Sequence, residues 1–125
     1  HAINALIETD RVILLSGEIE EFLADTPSGR GQRIALCESC KVALWSNYLL
    51  NNLGEHLRFL RVGTLDDPSL TPPDVHIFTA SRLPWYVLPD ETPSVEAYYD
   101  LKATWSQASL QRLKALRQRM GARHK

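Results

Sequence analysis

The chain has 125 residues, of which 44% are hydrophobic and 23% are charged, and its formal net charge is −1. This length and composition are ordinary for a globular protein and predict a single domain over residues 1–125. No apolar run approaches the roughly 20 residues of a membrane span, and no signal peptide is visible, so we expect no membrane partner. Two cysteines are too few for the disulfide framework of a secreted domain, and a cytoplasmic location is therefore expected.

Short apolar runs separated by Pro, Gly and Asp turns, roughly ten residues apart, predict an antiparallel β domain with helix only at its end. The run at 18–23 fits either a strand or one helical turn, because its length does not decide between them. The polar loop at 26–31 holds two glycines and a proline and predicts a hairpin connection. The other runs interpreted as extended or apolar are 2–7, 11–15, 32–36, 42–45, 57–62, 75–78 and 83–88.

Helix is predicted only in the last third of the chain. Pro93 can start a short helix that runs through Tyr99. A longer helix begins near Ser106, which is a good N-cap residue. Gly121 is expected to end this helix as a C-cap. Its apolar positions recur at spacings of three and four and form one stripe: Leu110, Leu113, Leu116 and Met120.

The basic charge is concentrated in this helix. Six basic residues and no acid lie in 104–125, whereas 1–103 holds eight basic and fifteen acidic residues. The sequence therefore divides into a β body over 1–103 and a basic C-terminal helix over 104–125. A basic helix can contact nucleic acid or a partner protein. We favour a solvated helix face instead, so nucleic acid is not the expected partner.

The two cysteines form a Cys37-x-x-Cys40 motif with apolar, strand-like sequence on both sides. At the tip of a turn between two strands, this spacing presents two thiolates to one point, which is half of a tetrahedral zinc site. The sequence offers carboxylates and the histidines His1, His56, His76 and His124 as further ligands, none of them paired at a metal-ligand spacing. A thioredoxin-like redox pair and two unligated structural cysteines remain alternatives, although the redox interpretation requires a βαβ context.

Five other residues are candidates for a site. Asp66 and its neighbour Asp67 could form a carboxylate pair, but two aspartates before a proline are more often turn residues. His76 could be a ligand or a base, but a lone strand histidine is usually only hydrogen-bonded. Trp45 and Trp85 could line a pocket, but large aromatic residues are usually core.

Taken in order, Cys37-x-x-Cys40 with Trp45, Gly63-Thr-Leu-Asp-Asp-Pro68, His76-Ile-Phe78 and Pro84-Trp85 resemble the glutathione-dependent formaldehyde-activating enzymes, a family that includes the centromere protein V relatives. The resemblance covers about residues 2–93. It implies a mainly β, β-tent fold of packed antiparallel sheets, followed here by the C-terminal α-helix.

The resemblance also implies zinc and a carbon–sulfur lyase activity. Such proteins use a structural zinc held by an upstream Cys-x-Cys together with a Cys-x-x-Cys, to which Cys37 and Cys40 correspond. A catalytic zinc is held by an upstream Cys-x-Cys-x-x-Cys, and the substrate is a glutathione–formaldehyde adduct or another small thiol–aldehyde adduct. Trp45, Asp66, His76 and Trp85 are then signature positions of the fold or the pocket wall. Neither upstream motif lies in 1–125, and with Met120 as the single methionine we expect the sequence to be part of a longer product.

Two interpretations in which the protein is not an active enzyme stay open. In one, the domain is a non-enzymatic binding module that uses its basic C-terminal helix. In the other, it is a folded but inactive β domain that forms a homodimer and so covers exposed Leu and Tyr surface.

Overall fold

The computed structural model describes residues 2–49 and 53–123, so the candidate ligands His1 and His124 lie outside the described residues. The chain divides into two compact units, His1–Thr71 and Pro72–Lys125. Each unit is described here by itself. The predicted single domain, with its division near residue 103, stays a prediction.

The first unit is built on an antiparallel sheet of five described strands, in the order β1-β5-β4-β3-β2. All described pairings between neighbouring strands are antiparallel. Together with a C-terminal helix in the second unit, this sheet confirms the predicted mainly β class with short antiparallel strands. The strands are β1 (Asn4–Glu8), β2 (Ile19–Ala24), β3 (Gln32–Cys37), β4 (Ala43–Tyr48) and β5 (Leu57–Arg61).

The predicted hairpin connection at 26–31 joins β2 to β3. The Gly29 N–H donates to the carbonyl of Thr26 at 2.9 Å, and the Gly31 N–H donates to the Thr26 hydroxyl at 3.2 Å. Gly29 and Gly31 have φ angles of 79° and 90°, a region that favours glycine over residues with a Cβ. The ambiguous run at 18–23 is therefore a strand, because this turn returns the chain antiparallel along β3.

The sheet buries a small set of residues on its central strands. Ala35 on β3 and Ser46 on β4 are each 1% exposed, and Val62, directly after β5, is 2% exposed. The rings of Tyr48 and Phe59 meet edge to face with centroids 4.8 Å apart, which joins β4 to β5. The core of this unit thus lies along β3, β4 and the end of β5.

The second unit contains little regular structure before its helices. The segment at 75–78, predicted as a strand, forms only an isolated bridge between His76 and Ser94. The prediction of a helix from Pro93 to Tyr99 is wrong: the backbone N–H of Val95 donates to the carbonyl of His76 at 2.8 Å. The carbonyls of residues 93, 95, 96 and 97 also accept hydrogen bonds from backbone N–H groups within 76–80. The segment therefore pairs with 76–80 and does not form helical turns. The run at 83–88 is not an extended strand but contains a turn, in which the Tyr86 N–H bonds the Leu83 carbonyl at 3.0 Å.

Two helices, α1 (Leu101–Thr104) and α2 (Gln107–Arg123), end the described chain. Ser106 is the predicted N-cap, since its hydroxyl accepts from the Ser109 N–H at 3.1 Å. The prediction of a C-cap at Gly121 is wrong, because the helix continues through it to Arg123 and Gly121 has no positive φ. The apolar stripe is confirmed by three buried side chains on α2: Leu113, Leu116 and Met120.

Outside this stripe α2 carries exposed basic residues: Arg112, Lys114, Arg117 and Arg119. Its use as a binding surface for nucleic acid or protein stays a prediction. Neither described helix combines the length and the apolar character that crossing a bilayer requires.

Candidate metal centre at the β3–β4 hairpin

Cys37 and Cys40 lie at the apex of the hairpin between β3 and β4, as the sequence predicts. Cys37 is the last residue of β3, and its N–H donates to the carbonyl of Val42 at 3.0 Å. The Lys41 N–H donates back to the Cys37 carbonyl at 2.8 Å. Lys41 completes the turn with a φ of 64°, a left-handed conformation uncommon for a residue with a side chain. This closed turn brings the two thiols to the same end of the sheet.

The surroundings of Cys37 favour its thiolate. Hydrogen bonds from the backbone N–H and the thiol of Cys40, and from the backbone N–H of Ser39, lower the pKa of the Cys37 thiol below its ordinary value. The positive charge of Lys41 contributes in the same direction. Cys37 is half-buried and Cys40 is exposed, and neither is in a disulfide. The apex therefore presents two free sulfurs, one of them held in a setting that stabilises negative charge.

Lys41 connects the apex to the edge strand. Its ammonium group donates to the carboxylate of Glu20 on β2, and this hydrogen bond raises the pKa of Lys41. A second tie comes from the Glu38 N–H, which donates to the carbonyl of Glu18 at 3.1 Å. The apex is thus fixed to β2 and to the residue directly before it, from both sides of Cys40. Lys41 was not predicted as a residue of the site, although its position directly after the motif places it next to the thiols.

A tetrahedral zinc site has four ligands, and two thiols supply at most two of them. Across 2–49 and 53–123, no group of three or more Cys, His, Asp or Glu side chains is placed to hold a metal ion. His56, the described histidine of the same unit, therefore does not join Cys37 and Cys40 in such a group. Cys37 and Cys40 as zinc ligands stay a prediction.

Trp45 lies on β4, half-buried, opposite Ala35 of β3. The guanidinium carbon of Arg58 sits 4.3 Å from the centre of its ring, a cation–π contact between β4 and β5. Burial lowers the pKa of Arg58, and its buried Nε has no hydrogen-bond partner among the described residues. Trp45 is thus part of the sheet's packing. Arg58 was missed because only strand pairing shows that it faces Trp45.

Asp66 is exposed in the turn after β5. Its neighbour Asp67 accepts a hydrogen bond from the Ser69 N–H at 3.1 Å and so caps the short 3₁₀ helix Pro68–Leu70. This is the turn role that the sequence favoured for the pair. The described contacts give Asp66 and Asp67 no shared site.

His76 and Trp85 belong to the second unit. The Nε2 atom of His76 is buried and has no hydrogen-bond partner in the described part of the chain. Trp85 is 73% exposed, so it is not a core residue. An open groove of about 470 Å³ lies in the same unit, and no sequence motif predicted it. It is lined by residues between 82 and 94, among them Arg82, Asp90 and Ser94.

Comparison with known proteins identifies a family. The family model described as "Glutathione-dependent formaldehyde-activating enzyme" matches residues 1–81, which include both cysteines, Trp45, Asp66 and His76. No curated protein and no solved structure matches the chain.

Proposed function

The chain belongs to the family of glutathione-dependent formaldehyde-activating enzymes, and we propose that it acts as a carbon–sulfur lyase on a glutathione–formaldehyde adduct, with Cys37 and Cys40 as zinc ligands. The observation that carries the proposal is the family match over 1–81, which contains the hairpin and both of its thiols. Another small thiol in place of glutathione is a variant of the same proposal.

The reaction joins a thiol to an aldehyde. The thiol sulfur adds to the carbonyl carbon of formaldehyde, a C–S bond forms, and the carbonyl oxygen takes up the proton that the thiol gives up. The reverse reaction breaks the C–S bond and returns both reactants. Zinc, when bound, lowers the pKa of a thiol ligand so that the thiolate is available near neutral pH.

In this proposal Cys37 and Cys40 have a structural role. Their turn is closed by the Lys41 and Cys37 backbone hydrogen bonds and tied to β2 through Glu20, so the backbone that carries the two cysteines is fixed by contacts within the protein. The resemblance assigns the remaining ligands to cysteine motifs upstream of these strands. No described residue is assigned a catalytic role, and Trp45, Asp66, His76 and Trp85 stay predicted signature positions of the fold or of the pocket wall.

The test uses the product of the whole gene. Exchange between glutathione and its hydroxymethyl adduct in the presence of formaldehyde can be followed by two-dimensional exchange NMR, with and without protein. We expect the wild-type protein to accelerate the exchange, and zinc analysis of the same sample to give at least one zinc per chain. Replacement of both thiols, Cys37→Ser with Cys40→Ser, should remove one zinc per chain.

Ser39→Ala is the matched control, because Ser39 lies in the same turn and carries no zinc-binding atom in this proposal. It should keep both the metal and the exchange rate. Exchange no faster than in protein-free buffer would refute the lyase activity. A zinc content that is the same in the wild type and in the double cysteine variant would refute the metal site separately.

A further inference from the structure

Arg58 on β5 carries a positive charge that the described residues leave without an anionic partner. No described carboxylate lies within ion-pair distance of its guanidinium group, and its buried Nε atom has no described hydrogen-bond acceptor. Arg33 on β3 differs, because it pairs with Glu55 at 3.0 Å and lies 3.9 Å from Glu21. A half-buried charge is costly unless it is paired or hydrogen-bonded, so the donors of Arg58 are available to an anionic ligand.

Arg58 lies on the face of the sheet that also carries Cys37. Trp45 pairs with Ala35 on one side and with Leu60 on the other, and residues paired across neighbouring strands share a face. Because side chains alternate along a strand, Arg58 shares this face with Leu60, and Cys37 shares it with Ala35. The cation and the first thiol of the motif are therefore on the same side of the sheet.

Trp45 supports the guanidinium group of Arg58. The guanidinium carbon lies 4.3 Å from the centre of the indole ring, a contact that positions the cation but satisfies none of its hydrogen-bond donors. Both residues are half-buried, so each keeps some exposed surface. A guanidinium held in this way is preorganised for a carboxylate, which arginine can bind through two parallel hydrogen bonds.

We propose that Arg58, supported by Trp45, binds a carboxylate of the thiol substrate, so that the protein selects thiols that carry a carboxylate. Glutathione meets this requirement, because both of its terminal residues have a carboxylate. The inference rests on the proposed function, since the family match is what identifies a small thiol as the substrate. It narrows that function from small thiols in general to anionic ones.

The experiment uses the product of the whole gene and measures binding by calorimetry without formaldehyde. The probes are glutathione and glutathione diethyl ester, which keeps the thiol but has no charged carboxylate. We expect the wild type to bind glutathione about ten- to hundredfold more tightly than the diester, the range for a hydrogen bond to a charged group. Equal affinities for the two probes, or no binding of glutathione at millimolar concentration, would overturn the proposal. This comparison needs no variant and so does not depend on the folding of one.

Two arginine variants assign the preference to a residue. Arg58→Met removes the charge at similar side-chain length and should bind both probes with nearly equal affinity. Arg61→Met is the matched control, because Arg61 is on the same strand but the opposite face, and its Nε atom also lacks a described acceptor. This control should keep the preference for glutathione. A wild-type preference in Arg58→Met, or an equal loss of preference in Arg61→Met, would overturn the proposal.

The ratio of the two affinities separates binding from folding and from catalysis. Damage to the fold weakens both probes alike, whereas loss of the carboxylate contact weakens glutathione alone. Accelerated thiol–formaldehyde exchange by a protein with no preference for glutathione over its diester would refute only the carboxylate contact. A preference that depends on Arg58, without accelerated exchange, would support the contact and refute only the lyase activity.

Discussion

The side-chain amide of Asn47, on β4, donates a hydrogen bond to the carbonyl of Gly54, which lies in the connection between β4 and β5. Its Nδ2 atom donates to the carbonyl of Gly54 at 2.9 Å and also to the carbonyl of Leu57, at the start of β5, at 2.9 Å. Asn47 is 5% exposed. One buried amide thus satisfies two carbonyls and fixes where the chain re-enters the sheet beside β4.

Replacement of this amide should destabilise the first unit. In Asn47→Ala both carbonyls lose their donor, and leaving a buried acceptor unsatisfied costs about 1–3 kcal/mol. We expect the free energy of unfolding, measured by urea denaturation with circular dichroism, to fall by at least that amount. Asn4→Ala is the matched control, because Asn4 is exposed on the edge strand β1 and should change stability by less than about 0.5 kcal/mol. Equal effects of the two variants would contradict the assigned role.

Position 54 requires glycine because there is no room for a Cβ atom there. A Cβ at this position would clash with the carbonyl oxygen of Tyr48 and lie 3.0 Å from the Leu49 Cα, and both of these are backbone atoms with little room to move. Gly54→Ala should therefore lower the free energy of unfolding by about 1–3 kcal/mol, the usual cost of overpacking. At Gly63 a Cβ would meet nothing within 4 Å, so Gly63→Ala in the same denaturation experiment should be nearly neutral. A Gly54→Ala protein as stable as Gly63→Ala would show that this connection is not tightly packed.

The first unit was largely predictable from sequence because its signals are local. The glycines of the 26–31 loop have the positive φ angles that such a turn requires, and the cysteine motif sits between two apolar runs that do pair as β3 and β4. Other apolar runs are not buried strands. Leu15 is 92% exposed and Val87 is 86% exposed, so in these places apolar sequence does not mark a buried strand. Hydrophobic pattern gives a strand only where a partner strand is available.

In the candidate site, too, the sequence predicted only what depends on local signals. Spacing alone predicted that Cys37 and Cys40 lie close together, since only two residues separate them in the chain. The placement of Lys41 against Glu20 and of Arg58 over Trp45 depends on which strands are neighbours, and no local pattern encodes that. His56 and His76 were equally open as ligands until the fold placed them in no described metal-binding group.

The Cys37 thiol should ionise at a lower pH in the folded protein than in the unfolded chain. Hydrogen bonds from Cys40 and Ser39 lower its pKa, so the thiolate that reacts with iodoacetamide is present at pH values where an ordinary thiol is still protonated. Because folding favours the thiolate, the associated stability is present above the ordinary pKa of the thiol. It is lost as the pH falls through the lower, folded pKa.

The measurement follows the alkylation rate of the metal-free protein against pH, and fragment ions of the tryptic peptide that contains both cysteines assign the label to Cys37. The midpoint for Cys37 should lie below the midpoint for the same residue in the urea-unfolded protein. Cys40→Ala removes one of the donors and should move the midpoint part of the way back. A folded midpoint at or above the unfolded one would contradict the hydrogen bonding at the apex.

Gly121 distinguishes two descriptions of the end of α2. If it were a C-cap in the left-handed region, alanine there would be strained and the protein would lose stability. In the structure Gly121 is exposed inside the helix, has no positive φ, and a Cβ would meet nothing within 4 Å. Gly121→Ala should therefore raise the free energy of unfolding by about 0.5–1 kcal/mol, since alanine loses less conformational freedom on folding into a helix.

The measurement is the urea midpoint of the variant. Ser106→Ala serves for comparison, because it removes the N-cap of the same helix and should lower the free energy of unfolding by about 1 kcal/mol. A loss of stability in Gly121→Ala would mean that the helix ends where the sequence first suggested.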